Sequence, residues 1–265
     1  AVASGTYSFA GGGFCTASGT GSAALGGSGL ASGAVTASSA WSTAIGLNSA
    51  AYGSIAAGSG AVSIGGSYAS GTDSFAAAIA TNSSSYGATG ANSIAMGPSS
   101  KATNSYAVAI GWSQTASGHQ SVVLGGNSST ASGYNSFALG RMITSSNTYS
   151  IGMGNDCTAS QEASIALGQG ASSAVHGKLA HSGKKFNAVG DAQGGTFVLL
   201  SDTTDATAEA MTTSNSTASA TNQIVAASDT CITFSGTIVA MQNGAQAYGS
   251  WKIEGLLVND GGTTT

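Results

Sequence analysis

Small and large apolar positions alternate in a short phrase that recurs along the chain: Ser, an apolar or small residue, Ala, a larger aliphatic residue, Gly. It reads Ser22-Ala23-Ala24-Leu25-Gly26 and Ser42-Thr43-Ala44-Ile45-Gly46, and later Ser93-Ile94-Ala95-Met96-Gly97 and Ser121-Val122-Val123-Leu124-Gly125. Ser136-Phe137-Ala138-Leu139-Gly140, Ser150-Ile151-Gly152-Met153-Gly154 and Ser164-Ile165-Ala166-Leu167-Gly168 follow, and Ala107-Val108-Ala109-Ile110-Gly111 is the same phrase without its Ser. The closing glycines at 97, 111, 125, 140, 154 and 168 are 14, 14, 15, 14 and 14 residues apart. Gly12 to Gly26 is again 14, while the steps to Gly46 and Gly65 are 20 and 19, so some repeats carry insertions of five or six residues. A fixed short period of this kind is the mark of a stacked-repeat architecture.

A second phrase sits between copies of the first: Thr16-Ala17-Ser18-Gly19, Ala31-Ser32-Gly33, Ala69-Ser70-Gly71, Thr115-Ala116-Ser117-Gly118 and Thr130-Ala131-Ser132-Gly133. Each repeat therefore reads as two short extended segments joined by two tight turns. The turns are rich in Gly, Asn and Ser, which tolerate positive φ or bond their own backbone. Fourteen residues are too few for three strands with three corners, so one repeat is one coil of a two-sided parallel β-roll, with coils about 4.8 Å apart. Alternate residues of a strand face opposite ways. Phe137 and Leu139 then share one face, and Ser136, Ala138 and Gly140 the other. Both faces are expected to be buried, one inside the roll and the other against neighbouring chains; alternation alone leaves open which is which. A lone solenoid of such small coils has a thin core for its surface, so self-association is the expected way to cover the second face.

Composition narrows the function classes. Charged residues are 6% of the chain, against roughly 25% in an ordinary soluble domain, and Gly supplies 41 of 265 positions. A net charge of −4 offers no phosphate-binding stripe, which argues against a nucleic-acid partner. One Pro excludes collagen and polyproline, and the low charge argues against solvated disorder. No run of about 18 large apolar residues predicts a membrane-spanning helix. The N-terminus does not read as a signal peptide, and it lacks an initiator Met, which suggests a fragment of a longer protein. Cys15, Cys157 and Cys231 are odd in number and widely spaced, so they predict small semi-buried thiols rather than a disulfide framework or metal set.

The 14-residue phrase resembles the head repeat of trimeric autotransporter adhesins, the YadA-like head, over roughly residues 4–177. That resemblance implies a left-handed parallel β-roll with three chains packed around a common axis. The fold class expected is thus all-β: a trimeric left-handed parallel β-roll of 14-residue coils followed by a small antiparallel β domain. Composition shifts near Gly177: residues 1–177 hold five charges (Asp73, Lys101, Arg141, Asp156 and Glu162) and residues 178–265 hold the other eleven. The expected organisation is a roll over 1–177, a neck over 178–190 and a C-terminal antiparallel β domain over 191–265 whose chain end reads as a truncation. Within the last, 196–200 reads as a strand, 231–241 as a long strand or a pair broken at Gly236, and 250–258 as a third. A heptad stalk and an anchoring barrel, which an autotransporter would add, are not visible. Instead Asn187-Ala188-Val189-Gly190-Asp191-Ala192-Gln193-Gly194-Gly195-Thr196-Phe197-Val198-Leu199, followed by Thr203-Thr204-Asp205-Ala206-Thr207, resembles a module at the ends of bacteriophage tail fibres.

Candidate chemistry is sparse. Asp156 and Glu162 are less than one coil apart, and with Asp73 they are the roll's carboxylates for a glycosidase pair; solvated turn residues are the plainer reading. Asp202, Asp205 and Glu209 read as a solvated loop. His176 and His181 flank Lys178 without a third metal ligand at recognisable spacing. Lys178, Lys184 and Lys185 form the one basic cluster, a ring of nine charges in a trimer that could touch an anionic glycan or could simply keep a neck soluble. The aromatic residues Trp41, Trp112, Tyr52, Tyr68, Trp251, Tyr248 and Phe234 are leads for sugar stacking, with packing the plainer reading of each. No catalytic, cofactor-binding or metal residue is assigned, and no cofactor is expected. The function expected is a non-enzymatic homotrimeric fibre of a phage tail, spacer and host-surface attachment together, located in the virion. Its partners would be itself, other tail or baseplate proteins and a host cell-surface glycan or protein receptor, with neither nucleic acid nor membrane insertion. The alternative is a bacterial adhesin head at the cell surface. A polysaccharide-degrading or ice-binding solenoid is a third class, and ice binding is disfavoured by a Thr column interrupted at Leu30 and Lys101.

Overall fold

A computed structural model describes residues 1–27, 33–47, 53–78, 85–205, 207–244, 246–261 and 263–264. Leu30, Ala31, Ser32 and Tyr52, which figured in the repeat and ligand readings, lie outside them. The described residues form two facing parallel sheets, each adding one strand per coil. A narrow sheet of twelve strands of two or three residues runs from Val2–Ala3 to Ser172–Ser173. A wide sheet runs from Phe9–Gly11 to Leu179–Ser182, and antiparallel Gly194–Thr196 caps it. Residue pairing follows the sequence period: Ala95 pairs with Ala109, Ala109 with Val123, Val123 with Ala138 and Ala138 with Gly152. The extra residues of the long coils fall between Gly27 and Val35, between Leu47 and Ile55 and between Ala77 and Gly87. In chain order all three lie between a wide strand and the narrow strand that follows it.

The structure decides which face is inside. Ala24, Ala44, Ala76, Ala95, Ala109, Ala138 and Ala166 of the wide sheet are fully buried, as are Ala17, Ala37, Ala69, Ala102, Ala116 and Ala131 of the narrow one. The core is therefore two columns of small side chains facing one another. The bulky positions point outward. Ile94, Val108, Val122, Phe137, Ile151, Ile165 and Leu179 form one registered column, and Met96, Ile110, Leu124, Leu139, Met153, Leu167 and His181 a second. Leu25 and Ile45 are each 38% exposed and Met96 and Met153 each 37%.

The invariable parts of the phrase have separate physical jobs. In several coils the Ser hydroxyl is buried and donates to the turn carbonyl three residues back: Ser93 to Gly90 (2.6 Å), Ser121 to Gly118 (2.7 Å), Ser136 to Gly133 (2.8 Å) and Ser150 to Asn147 (2.6 Å), whereas Ser22 Oγ and Ser74 Oγ are buried without a partner. A buried hydroxyl without such a partner would be costly. The closing Gly has positive φ (127° at Gly140), and a Cβ there would overlap the carbonyl oxygen of Gly154 in the next coil. Backbone stacking thus excludes a side chain at Gly140 and at the equivalent corners Gly97, Gly111, Gly154 and Gly168.

A third inward column starts the narrow strands and fills the same corner. Ser100 donates to Gly111 O (2.8 Å) and Ser129 to Gly140 O (3.1 Å). Cys15 reaches Gly26 O (3.3 Å) and Cys157 reaches Gly168 O (3.2 Å) by the same geometry. These two cysteines are free, buried corner fillers, and Cys231 is free and exposed. Gln114 is wholly buried with its amide paired to Trp112 O, Gly125 O and Ser129 N. Ile143 is the largest of the buried corner residues, and it lies against Gly152, the one glycine in an inward column otherwise of Ala, Ser and Val.

Beyond the roll the pattern expected from the sequence is only partly met. The strand expected over 196–200 is reduced to Gly194–Thr196 and a single bridge from Leu200 to Thr212. Thr230–Met241 is one continuous strand, unbroken at Gly236, and pairs antiparallel with Tyr248–Asp260. Thr263–Thr264 adds a short third strand. Both faces of this hairpin carry exposed apolar residues: Val239, Met241, Tyr248, Trp251 and Leu256 are all more than half exposed. Taken alone, the hairpin has no second layer to bury them.

Candidate functional site

Each coil has two turn edges. The edge leading from narrow to wide sheet repeats a left-handed backbone position once per coil, with φ between 52° and 60° at Tyr7, Trp41, Asp73, Asn92, Tyr106, Gln120, Asn135, Tyr149 and Ala163. Such a turn points the side chains beside it out of the roll. On successive coils this edge carries Tyr106, His119, Tyr134 and Tyr149 as a row of touching rings. Tyr106 and His119 meet edge to face at 5.6 Å, His119 and Tyr134 stack at 5.2 Å, and Tyr134 and Tyr149 meet edge to face at 6.3 Å.

The next two coils of that edge present Gln161, Glu162 and His176. Together with Asn147 they form one wall of a cleft of about 310 Å³, and the loop 214–222 forms the other. The loop is held by Asn222, whose buried amide donates to Ser214 Oγ (3.1 Å), Ser216 Oγ (3.1 Å) and Thr217 O (3.0 Å) and accepts from Ser219 N (2.7 Å). It is tied to the roll where His176 N donates to Thr221 O (2.7 Å). His176 Nδ1 lies 3.2 Å from Thr213 O. A carbonyl only accepts, so Nδ1 carries a proton, and in the neutral ring Nε2 is left as an acceptor.

The residues singled out from the sequence fare differently. Asp156 sits on the opposite edge from Glu162 and pairs with Lys185, so the two carboxylates do not converge. Lys178 is turned inward, donates to Ser172 O (3.1 Å) and lies over the Phe197 ring, and burial pushes its ammonium below the usual lysine range. With Lys185 paired and Lys178 turned in, the expected basic cluster is dispersed. His176 belongs to the cleft wall and His181 ends an outward apolar column, so they form no pair. Among the described residues no three His, Cys, Asp or Glu side chains gather as a metal set, and no helix is long and apolar enough to cross a membrane. Asp205 and Glu209 lie in an exposed loop, where hydrogen bonds from Thr207 hold the Asp205 carboxyl below its ordinary value. The outward column of the narrow sheet runs Thr115, Thr130, Thr144, Thr158 in register but meets Lys101, Tyr68 and Ile55 further up, so the Thr ladder is interrupted at Lys101 as expected, while beside Thr16 the register places Thr36 and not Leu30.

Of the aromatic leads, Trp41 is exposed on a roll turn and Trp112 at the end of a wide-sheet strand, Tyr68 is outward on the narrow sheet, and Phe234, Tyr248 and Trp251 lie on the hairpin. The ring row was missed. Its members are offset by one residue within the turn phrase: His119 and Tyr134 stand two before the conserved-phase Ser, Tyr149 one before. Aligning the chain on that Ser would have placed them on one edge.

The fold and its repeating edges define a class: a parallel β-roll of 14-residue coils. The YadA head domain repeat (2 copies) matches residues 88–113, 116–141 and 145–171, the coils with the most regular period. Across the curated proteins no match is found.

Proposed function

We propose that this protein is a homotrimeric, non-enzymatic attachment fibre in which the roll is a spacer over 1–177, followed by a neck over 178–190 and a distal module over 191–265. The observation that carries the reading is the wide sheet's outward face. Two registered apolar columns run along the roll from Val62 and Ile64 to Ile165 and Leu167, part-exposed, with no second layer over them among the described residues. A contiguous apolar surface of that kind marks an association face, and the matched head repeats are what such a face belongs to. A straight stack of about 12 coils at about 4.8 Å gives a rod of about 55 Å. The finer placement we favour is a phage tail fibre in the virion, with other tail proteins as neighbours and a host surface glycan or protein as receptor. It is supported by the module resemblance over 187–207. A bacterial adhesin head is the second reading, favoured by the head-repeat match itself.

Sedimentation of the intact chain at micromolar concentration tests the assembly: three times 25.3 kDa is expected, and a folded monomer refutes it. Coating of host cells by soluble protein, with block of phage adsorption, tests the attachment reading. A chain ending near Gly177 is expected to block less well if the distal module holds the receptor contacts.

A further inference from the structure

The ring row and the polar cleft are neighbours on one edge, with no coil between them. Tyr149 ends the row, and Asn147 of the same turn already lines the cleft. Tyr106, Tyr134 and Tyr149 are 53%, 46% and 52% exposed, so half of each ring is available. From Tyr106 to His176 is five coil steps, about 24 Å at about 4.8 Å each. The cleft end is lined only by amide, hydroxyl, carboxylate and imidazole groups. Two buried polar atoms along this track have no partner: His119 Nδ1 within the row and Thr213 Oγ1 in the loop behind the cleft, where Thr213 is 7% exposed.

Few ligands combine what this surface combines. A nucleic acid wants cations along its phosphates, and the track's one formal charge is the Glu162 carboxylate. An extended peptide wants an open sheet edge or apolar pockets for alternate side chains, and neither is here. A pyranose ring has an apolar face that rests on aromatic rings and a rim of hydroxyls that both donate and accept. The cleft offers acceptors at Glu162 and His176 Nε2 and paired donor–acceptor amides at Asn147 and Gln161. The carboxylate disfavours an acidic chain. We propose that this edge binds a neutral hexopyranose chain, laid along the roll with one end in the cleft. The proposal rests on the attachment reading, to which it adds the ligand class, and it moves the contact to the roll's own edge, with the 214–222 loop of the distal module as the far wall of the cleft.

The test uses the full chain on a microarray of short neutral and acidic hexose oligomers, followed by titration of the best ligand. Binding to a neutral oligomer is expected. Glu162→Gln, which keeps shape and removes the charge, is expected to weaken it about tenfold or more, the size of a charged hydrogen bond. Tyr134→Ala is expected to do the same, and Trp251→Ala on the hairpin to leave it unchanged. Melting temperature and sedimented mass are measured on every variant. The proposal falls if no neutral oligomer binds, if acidic ones bind better, or if Glu162→Gln binds as the parent does. It also falls if Tyr134→Ala or Glu162→Gln dissociates the assembly, since the track is then a subunit contact. Attachment is judged separately: if the parent and Glu162→Gln coat host cells equally, attachment stands and the track is overturned. If the parent binds the array but no host cell, the track stands and attachment is overturned.

Discussion

Ile143 and Gly152 make a volume pair that no other coil shares, and separating them is a measurable perturbation. In the preceding coil the same two places hold Ser129 and Ala138, and in the following one Cys157 and Ala166. A Cβ on Gly152 would overlap Ile143 Cγ2 and lie 3.0 Å from Ser145 Oγ, both fully buried. Carbon atoms pack best at about 3.5–4.0 Å, and the narrow core has no slack to restore that spacing. Gly152→Ala is therefore an overpacking change costing about 1–3 kcal/mol. At about 2–4 °C per kcal/mol for a chain of this size, the first melting transition drops by about 2–12 °C. Ile143→Ser alone empties the corner and costs about 2–5 kcal/mol. The double variant reproduces the coil before it, where Ser129 donates to Gly140 O and accepts from Ile143 N (both 3.1 Å). It should melt above both single variants, with a favourable coupling of about 1–3 kcal/mol. Calorimetry at one fixed protein concentration reads all four proteins, since assembly makes melting concentration-dependent. A double variant that melts at or below the sum of the single losses would refute the idea that the two residues share one space.

Three further outcomes are expected. Leu139→Asp, placed between Leu124 and Met153 on the outward apolar column, should abolish the trimer while the circular dichroism of the roll survives, whereas Ser117→Asp on the far side should change neither; equal effects would put the faces the wrong way round. Gly140→Ala should prevent folding of its coil because backbone, not side chain, occupies the space, but Ala163→Gly, at φ 54°, should be neutral or raise stability by up to about 1 kcal/mol by relieving left-handed strain; thermal melts of the pair decide. The Asp191 carboxylate accepts from the N–H groups of Asn187 (2.6 Å), Ala188 (2.7 Å) and Phe186 (2.9 Å), which hold it below its ordinary value. A depressed acid supports the 186–191 loop at neutral pH and loses that support as pH falls through its folded value. Hydrogen exchange at Asn187 and Ala188 should accordingly gain an acid-dependent opening that Asp191→Asn lacks, and protection with the same pH dependence in both proteins would contradict the assignment.

Some of this protein is written in local order. The period of Ser136-Phe137-Ala138-Leu139-Gly140 and its sister phrases states the coil length, two strands per coil and the alternation of large and small, because strand geometry has a period of two and turns select Gly, Asn and Ser. The corner glycines are legible for the same reason. Alternation sets parity but not sign, however. That Ala138 faces in and Leu139 out follows from the short distance between two sheets closed by connections of two and five residues, such as 142–143 and 146–150, a space filled mostly by Ala and Ser. The same enclosure decides that Ile143 needs Gly152, nine residues on, and that Cys157 is a corner filler rather than a ligand. Stacking also brought together what sequence distance separates: Tyr106, His119, Tyr134 and Tyr149 lie 13 to 15 residues apart yet touch, and Glu162 meets Asn222 across one cleft. Conversely it parted Lys178 from Lys185, seven residues on, because one gains by burying its stem over Phe197 and the other by pairing with Asp156. Local chemistry determines the coil; only the register of coil on coil, set by backbone hydrogen bonds between residues far apart in sequence, determines the surfaces they make.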